Sequence, residues 1–541
     1  MLTTPLSILG VVVSGPIDVS AMSSERVCGD NGRGFTDVKT KAFERYLKSA
    51  NDGDADAMFN VGECFDNGEG VALDKTKAYE WYLKAANNGS VAAMYNVGVC
   101  LDIGEGVKRS KTKAFNWFMQ AADGGNAAAM FNVGVCFDTG KGVTRSKKKA
   151  FKWFMKSADN GDADAMFNVG ACYEDGEGVT QDKTKAFEWY LKSAQSGSID
   201  AMNKTGECYS KGQGVAQDFT KAFDWFWKAA NDGNVDAMRN VGDCYDKGQG
   251  VTQDDTQAYE WYLRAANDGD AVAMVNLGDC YDDGKCVTQD MTKAYEWYLK
   301  AANNGNAAAM NRVGVCYTKG QGVTKDFTKA FEWYLKAANN GDAVAMFNVG
   351  KCYEKGKGVT QDLTKAFEWY LKAAKNGDDD AMLNVALCFK NGEGVTKDLV
   401  KAYDWYLKAA NNGNALGMCA VGVCYEEGKG VKQDFTKAFE WYLKAANNGD
   451  AFGMYNVGTC YENGQGERKE LNKAFEWYLK GANSGDDDAM RKTGFCFDDG
   501  MGVTQDKAKA FEWYLKAANK GNADAMRIVG VCYSEGQGVT Q

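Results

Sequence analysis

The sequence contains no histidine. A Ser-His-Asp or Cys-His catalytic centre, a His-ligated metal and a histidine pH switch are therefore excluded. Proline is almost missing: Pro5 and Pro16 are the only two in 541 residues. No apolar run reaches the roughly 18 residues that cross a bilayer, so no transmembrane anchor is expected. Basic residues are outnumbered, 63 Lys and Arg against 73 Asp and Glu, for a net charge of −10. Nucleic acid needs a basic face, so it is not expected as a partner. The 17 cysteines include no C-x-x-C pair, so zinc spacing is missing and neither metal nor cofactor is expected.

What is present is repetition. Length alone would suggest about three or four domains. Instead, Lys-Ala-Phe begins at Lys41, and Lys or Gln followed by Ala and an aromatic returns every 36 residues up to Lys509. Fourteen copies run without insertion or deletion. Such a register is the mark of a repeat array.

One copy runs from Asp54 to Gly89 and holds two helical segments. Asp54 heads a column of only Asp, Ser or Asn, residues whose side chains accept from the free N–H groups of a first turn. The first segment ends at Gly68-Glu69-Gly70, where glycine takes the left-handed conformation of a helix cap. The second starts near Asp74 and ends at Gly89. Each helix is about a dozen residues, too short to persist alone in water. Stability must come from stacked neighbours, so the expected fold is an all-α solenoid of about fourteen 36-residue helix-turn-helix repeats. Ala57, Met58, Val61, Gly62, Cys64 and Phe65 recur in the first helix. Ala78, Tyr79, Trp81, Tyr82, Leu83, Ala85 and Ala86 recur in the second. These columns are the expected core, with Trp81 and its equivalents among the fillers.

The segments Ala57–Val71 (AMFNVGECFDNGEGV) and Lys77–Gly89 (KAYEWYLKAANNG) resemble the Sel-one-like repeat family, a relative of the tetratricopeptide repeats. The resemblance covers residues 25–541. The family commonly has Pro after Gly-Val, whereas Thr, Ala, Lys or Arg stands there in this chain. The resemblance implies a right-handed superhelix of antiparallel helix pairs and non-catalytic scaffold or adaptor work on proteins or peptides. Two other roles occur among relatives: an adaptor for quality control in the ER lumen, and a secreted, β-lactam-interacting repeat protein that bridges cysteines within a repeat.

Fifteen cysteines stand 36 residues apart, from Cys28 to Cys532. Equivalent positions on stacked helices lie about 8–10 Å apart, beyond disulfide reach, so the column is expected to be buried free thiols. These favour a reducing compartment and a cytoplasmic location, with the ER lumen or secretion as the alternative. Cys286, in place of a loop glycine, and Cys419, on a variable face, are off-register and are the expected reactive thiols. Asn88-Gly89-Ser90 and Asn203-Lys204-Thr205 are glycosylation sequons that matter only on a secreted chain.

The functional clue is a stripe that varies while the framework repeats. Asp56, Phe59, Asn60, Glu63, Asp66 and Asn67 share one face of the first helix. By the tetratricopeptide analogy this face lines the concave surface. Early copies place Tyr95, Val99, Phe131 and Val135 there. The middle brings Lys204, Arg239 and Arg312, and later copies bring Phe347, Leu383 and Leu387. Leu416, Phe452, Tyr455 and Arg491 complete the expected binding stripe. Aromatics in the Phe59 column have a second reading, burial between neighbouring first helices. The Asn60 column, Asn in nine copies, admits either a clamp on a peptide backbone or internal hydrogen bonds.

Residues 1–24 fall outside the repeat and are expected to be a disordered leader, with residues 25–541 forming one solenoid. Leu6–Val13 has the character of a signal-peptide core, but no positive charge precedes it and Pro5, Gly10 and Pro16 interrupt it. At Gln541 the array stops where a second helix is due. That end is expected to be uncapped and open to self-association, or the sequence to be truncated there.

Overall fold

A computed structural model describes residues 33–538, and the leader and Cys28 lie outside them. Twenty-eight α-helices and no strand occur among the described residues. The fold is an all-α solenoid of paired helices packed in series. Its contacts divide the chain into two compact units, Met1–Asp232 and Gly233–Gln541.

In the first unit, α1 (Arg33–Asn51) is followed by the pair α2 (Ala55–Asn67) and α3 (Lys75–Asn87), and four further pairs follow, up to α11 (Phe219–Asn231). The second unit runs from α12 (Val235–Lys247) to α28 (Ala523–Glu535). Every helix after α1 spans 13 residues, separated alternately by a long loop and a tight turn. Within each unit a first helix packs on the second helix of its own copy, and that second helix packs on the next first helix.

The caps fall where the sequence places them. The Asp54 carboxylate accepts from Asp56 and Ala57 N–H, and Gly68 closes α2 at φ 71° with its N–H on the Cys64 carbonyl. Asp74 caps α3 through Thr76 and Lys77 N–H, while its own N–H returns to the Phe65 carbonyl at 2.9 Å, closing the long loop. Gly70 has φ 72°, and a Cβ there would sit 2.3 Å from the Lys39 carbonyl oxygen. The second loop glycine is thus required by close approach to the preceding second helix as well as by backbone angle.

Two expectations change. The register puts Gly32 and Gly34 in a loop, yet Gly34 lies inside α1. The aromatic at the heart of each copy is the tyrosine column more than the tryptophan column. Tyr82 is 2% exposed, whereas Trp81 is half-buried with the Lys84 ammonium 4.0 Å from its ring centre. Trp261 is a buried exception. The cause is Gly62: with no side chain, it lets the Tyr82 ring lie directly on α2, where a Cβ would come within 2.6 Å of ring carbons. Phe118 rests on Gly98 and Tyr370 on Gly350 in the same way. Val61 and Ala57 flank this contact, buried with Ala78, Ala85 and Ala86.

The cysteine column is buried and free among the described residues. Burial pushes these thiols up, to about 12 for Cys100 and Cys172, so they stay protonated and serve as small apolar fillers. Cys419 joins them in being buried, with its thiol 3.0 Å from Asp450 Oδ1, and the expectation of a reactive thiol there is corrected. Asn203 and Thr205 of the second sequon are also buried, and the Thr205 hydroxyl donates to the Ala201 carbonyl.

Candidate protein-binding face

The tyrosine that fills most copies, replaced by Phe118, Phe154 and Phe226 in three, also reaches the variable stripe. Its ring crosses the glycine and its hydroxyl emerges among stripe carboxylates. Tyr82 donates to Glu63 at 2.6 Å, Tyr190 to Glu174 at 2.7 Å and Tyr298 to Asp279 at 2.6 Å. Burial, then the adjacent carboxylate, pushes each of these phenols far up, so they remain donors.

The Asn60 column ties copies together. Asn96 donates to Glu63 of the preceding first helix at 3.0 Å, and Asn348 to Asn311 at 2.9 Å. Charged replacements do the same work. Lys204 pairs with Glu174 at 3.1 Å, Arg312 with Asp279 at 3.1 Å, and Lys492 with Glu462 at 2.9 Å. Burial opposes the Lys204 charge, but Glu174 and Glu207 outweigh it and hold the ammonium above its ordinary value. Internal hydrogen bonds are therefore the role of this column in these copies. Arg239, one column earlier, is held by Asp236 at 2.9 Å and Asp270 at 3.4 Å. Arg491 pairs with Asp488 at 3.4 Å, and its Nε is buried without an acceptor.

The expected aromatic anchors are largely framework. Tyr95 packs on Phe118 with ring centres 5.9 Å apart, Phe131 on Phe154 at 5.7 Å, Phe347 on Tyr370 at 5.5 Å and Tyr455 on Tyr478 at 5.8 Å. Each is half-buried. Their covering partner is the second helix of the same copy, where the sequence reading placed a neighbouring first helix. Val99 and Val135 are likewise half-buried against the core, as is Leu383.

Exposed apolar surface lies in two other columns of the stripe, those of Asp56 and Glu63. In the second unit, α18 (Ala343–Lys355) presents Val344, α22 (Ala415–Glu427) presents Leu416 and α24 (Ala451–Asn463) presents Phe452. They are 51%, 58% and 43% exposed. All three stand where Asp56 stands in α2. Leu387 and Phe495, in the Glu63 column, are exposed too, as is Val272. Leu416 and Phe452 flank a shallow cleft with Leu399, Val423, Cys419 and Lys390. Sequence reasoning named Leu387, Leu416 and Phe452. It missed Val272, Val344 and Phe495, although an apolar residue in a column that elsewhere holds Asp or Glu was a usable signal. At the C-terminal end, Met526, Val531 and Tyr533 of α28 are exposed.

Fourteen consecutive segments, from residues 55–90 to residues 523–541, match the model of the Sel1 repeat. The chain belongs to the Sel1 repeat family. Members of that family are generally non-catalytic scaffolds for protein interaction. Among solved structures, the chain is similar to c5321 of uropathogenic Escherichia coli, a protective antigen displaying an SLR fold. Identity is 29%, the TM-score 0.58, and the match covers 90% of this chain and 97% of that one. A Sel1 repeat protein from Oxalobacter formigenes is 30% identical, with a TM-score of 0.46 and coverage of 60% and 96%. Cysteine rich protein B of Helicobacter pylori is 31% identical over 24% of this chain and 95% of its own, with a TM-score of 0.21. No curated protein matches. Among the described residues, no helix is long and apolar enough to cross a membrane, and no group of three or more metal-ligating side chains is gathered.

Proposed function

We propose that this Sel1 repeat chain is a non-catalytic scaffold that binds proteins or extended peptides along the variable face of its first helices. One observation carries the reading. In the second unit, large apolar side chains, Val344, Leu416 and Phe452, are about half exposed in a column that holds Asp56 and other acids elsewhere. Apolar groups on a solvated helical face cost solubility and serve contact. Glu354, Glu426 and Glu462 on the same face accept from Tyr370, Tyr442 and Tyr478, and Glu462 also from Lys492 of the next copy, so these groups are held in place before any partner arrives. A cytoplasmic location belongs to the same reading, supported by the long column of protonated thiols.

The test is capture of partners by the full chain, quantified by mass spectrometry against a variant with Val344→Glu, Leu416→Glu and Phe452→Glu. These positions are exposed, so the variant should keep its helicity and melting profile. Tyr95, Phe131 and Tyr455 are unsuitable targets, since a charge there would enter the framework. Partners lost from the folded variant support the face. Partners retained at full yield would move binding elsewhere on the molecule.

A further inference from the structure

One copy breaks two regularities at once. The second loop glycine lies against the backbone of the preceding second helix. A Cβ at Gly322 would stand 1.9 Å from the Met291 carbonyl oxygen, one at Gly358 1.9 Å from that of Phe327, and one at Gly394 2.0 Å from that of Leu363. The position has no room for a side chain in these sister copies. In the copy of α14 (Ala271–Asp283), it is occupied by Cys286. The loop still closes, with Gly284 left-handed at φ 69° and the Asp290 N–H on the Tyr281 carbonyl at 2.9 Å. The Cys286 sulfur settles 3.0 Å from the sulfur of Cys280, the column cysteine of the same copy. Cys286 is partly exposed, and both residues line a surface pocket shared with Asp243, Asp246, Asp279 and Lys285.

From this geometry we propose that Cys280 and Cys286 form a reversible intra-repeat disulfide, a redox-modifiable site unlike the isolated thiols of the other copies. A disulfide needs about 2.05 Å between sulfurs, so closure asks for a loop movement of about 1 Å. The oxidant is a low-molecular-weight disulfide of the glutathione type. The Cys286 thiolate attacks one of its sulfurs, forming a mixed disulfide and expelling one small thiol. Cys280, deprotonated in turn, attacks the Cys286 sulfur and expels the second. Two S–H bonds are lost from the protein, one S–S bond forms, and two electrons and two protons leave on two small thiols. Burial, with Asp246 and Asp255 nearby, raises the Cys286 thiol, so exchange is slow at neutral pH and quickens as pH rises. In a reducing compartment the pair rests as the dithiol and closes when the disulfide pool rises.

Lys285 makes the test direct, because trypsin cuts between the two cysteines. The full chain is incubated with oxidised glutathione at pH 8, quenched in acid, alkylated in denaturant and digested without reduction. Peptides 265–285 and 286–293 should appear covalently joined, and the free-thiol count should fall by two from 17 per chain. Dithiothreitol should restore both. Cys286→Gly, which returns the loop to the sequence of its sisters, should abolish the loss. An unchanged thiol count, a stable glutathione adduct on Cys286 with Cys280 still free, or a two-thiol loss persisting in Cys286→Gly would each overturn the proposal.

Discussion

Gly350→Ala adds one methyl group at the contact on which each copy is built. The new Cβ would stand 2.6 Å from Tyr370 Cδ1 and Cε1 and 3.2 Å from Cγ. Carbon pairs prefer about 3.5–4.0 Å, so the ring must retreat by about 1 Å. Overpacking of this kind costs about 1–3 kcal/mol. Retreat also draws the Tyr370 hydroxyl away from Glu354, a bond to a charged acceptor whose loss costs about 1–2 kcal/mol more. Alanine returns about 1 kcal/mol through its better helix propensity. The expected net loss is about 2 kcal/mol, or roughly thirtyfold in the local opening constant. A global melting temperature is a poor readout, since long arrays need not unfold in one step. The cysteine column supplies a better one. Cys352 lies two residues on, is buried, and reacts with an alkylating reagent only when its copy opens. Its labelling, followed by mass spectrometry, should accelerate roughly thirtyfold, while that of the distant Cys496 stays unchanged. A natural counterpart exists: Ala386 occupies the glycine column, and Leu387 and Lys390 replace the acids at Glu63 and Asp66. Unchanged labelling at Cys352, or equal acceleration at Cys496, would refute the reasoning.

Tyr370→Ala should cost about 3–5 kcal/mol by emptying a buried site. Trp369→Ala, removing a half-buried ring, should cost visibly less when both are compared by Cys352 labelling. Asp398 accepts from Lys401 and Val400 N–H, and these bonds, Lys401 first, hold its carboxyl below the usual range. Its capping contribution is full above about pH 4 and fades as pH falls through the lowered value. Asp398→Asn should flatten this acid limb, read as local hydrogen exchange between pH 5 and pH 2. Burial opposes the Glu462 charge, but Tyr478 and Lys492 outweigh it and lower the carboxyl. Lys492→Met should raise it and destabilise that copy by about 1–3 kcal/mol, seen as faster labelling of Cys496.

The fold was legible because local chemistry and long-range register agree. Cap residues, the Gly-x-Gly stop and the alanine columns return at one spacing, and each has a single mechanical meaning. The binding stripe was legible only in part. Sequence variation at Phe59, Asn60 and Glu63 marks positions freed from the strict core, yet such positions can pack or be exposed. Tyr95 and Phe131 vary and still cover the central ring. Nothing in a single column says that Gly62 lets Tyr82 cross the first helix and offer its ring to residue 59. That is a relation between helices, visible only once they are docked. The tryptophan column was overrated for the same reason: recurrence measures constraint, and Trp81 is constrained at a half-exposed site under Lys84.

Docking also explains why the face can diversify cheaply. The Gly62–Tyr82 contact, the alanines and the caps fix the helix pair, and the Asp56 column takes no part in them. A side chain there can change from Asp56 to Val344, Leu416 or Phe452 with no cavity opened, and a bond is at stake only in copies such as those of Asp236 and Asp488, which hold Arg239 and Arg491. Changes at the Glu63 or Asn60 columns are dearer, because Tyr82, Glu63 and Asn96 form one chain of hydrogen bonds across adjacent copies. Where that chain is abandoned, as at Leu387, exposed apolar surface takes its place. The two columns are thus unequal carriers of specificity: outside the copies with an arginine partner, the Asp56 column can be rewritten alone, while the Glu63 column trades part of the scaffold's own bonding for contact.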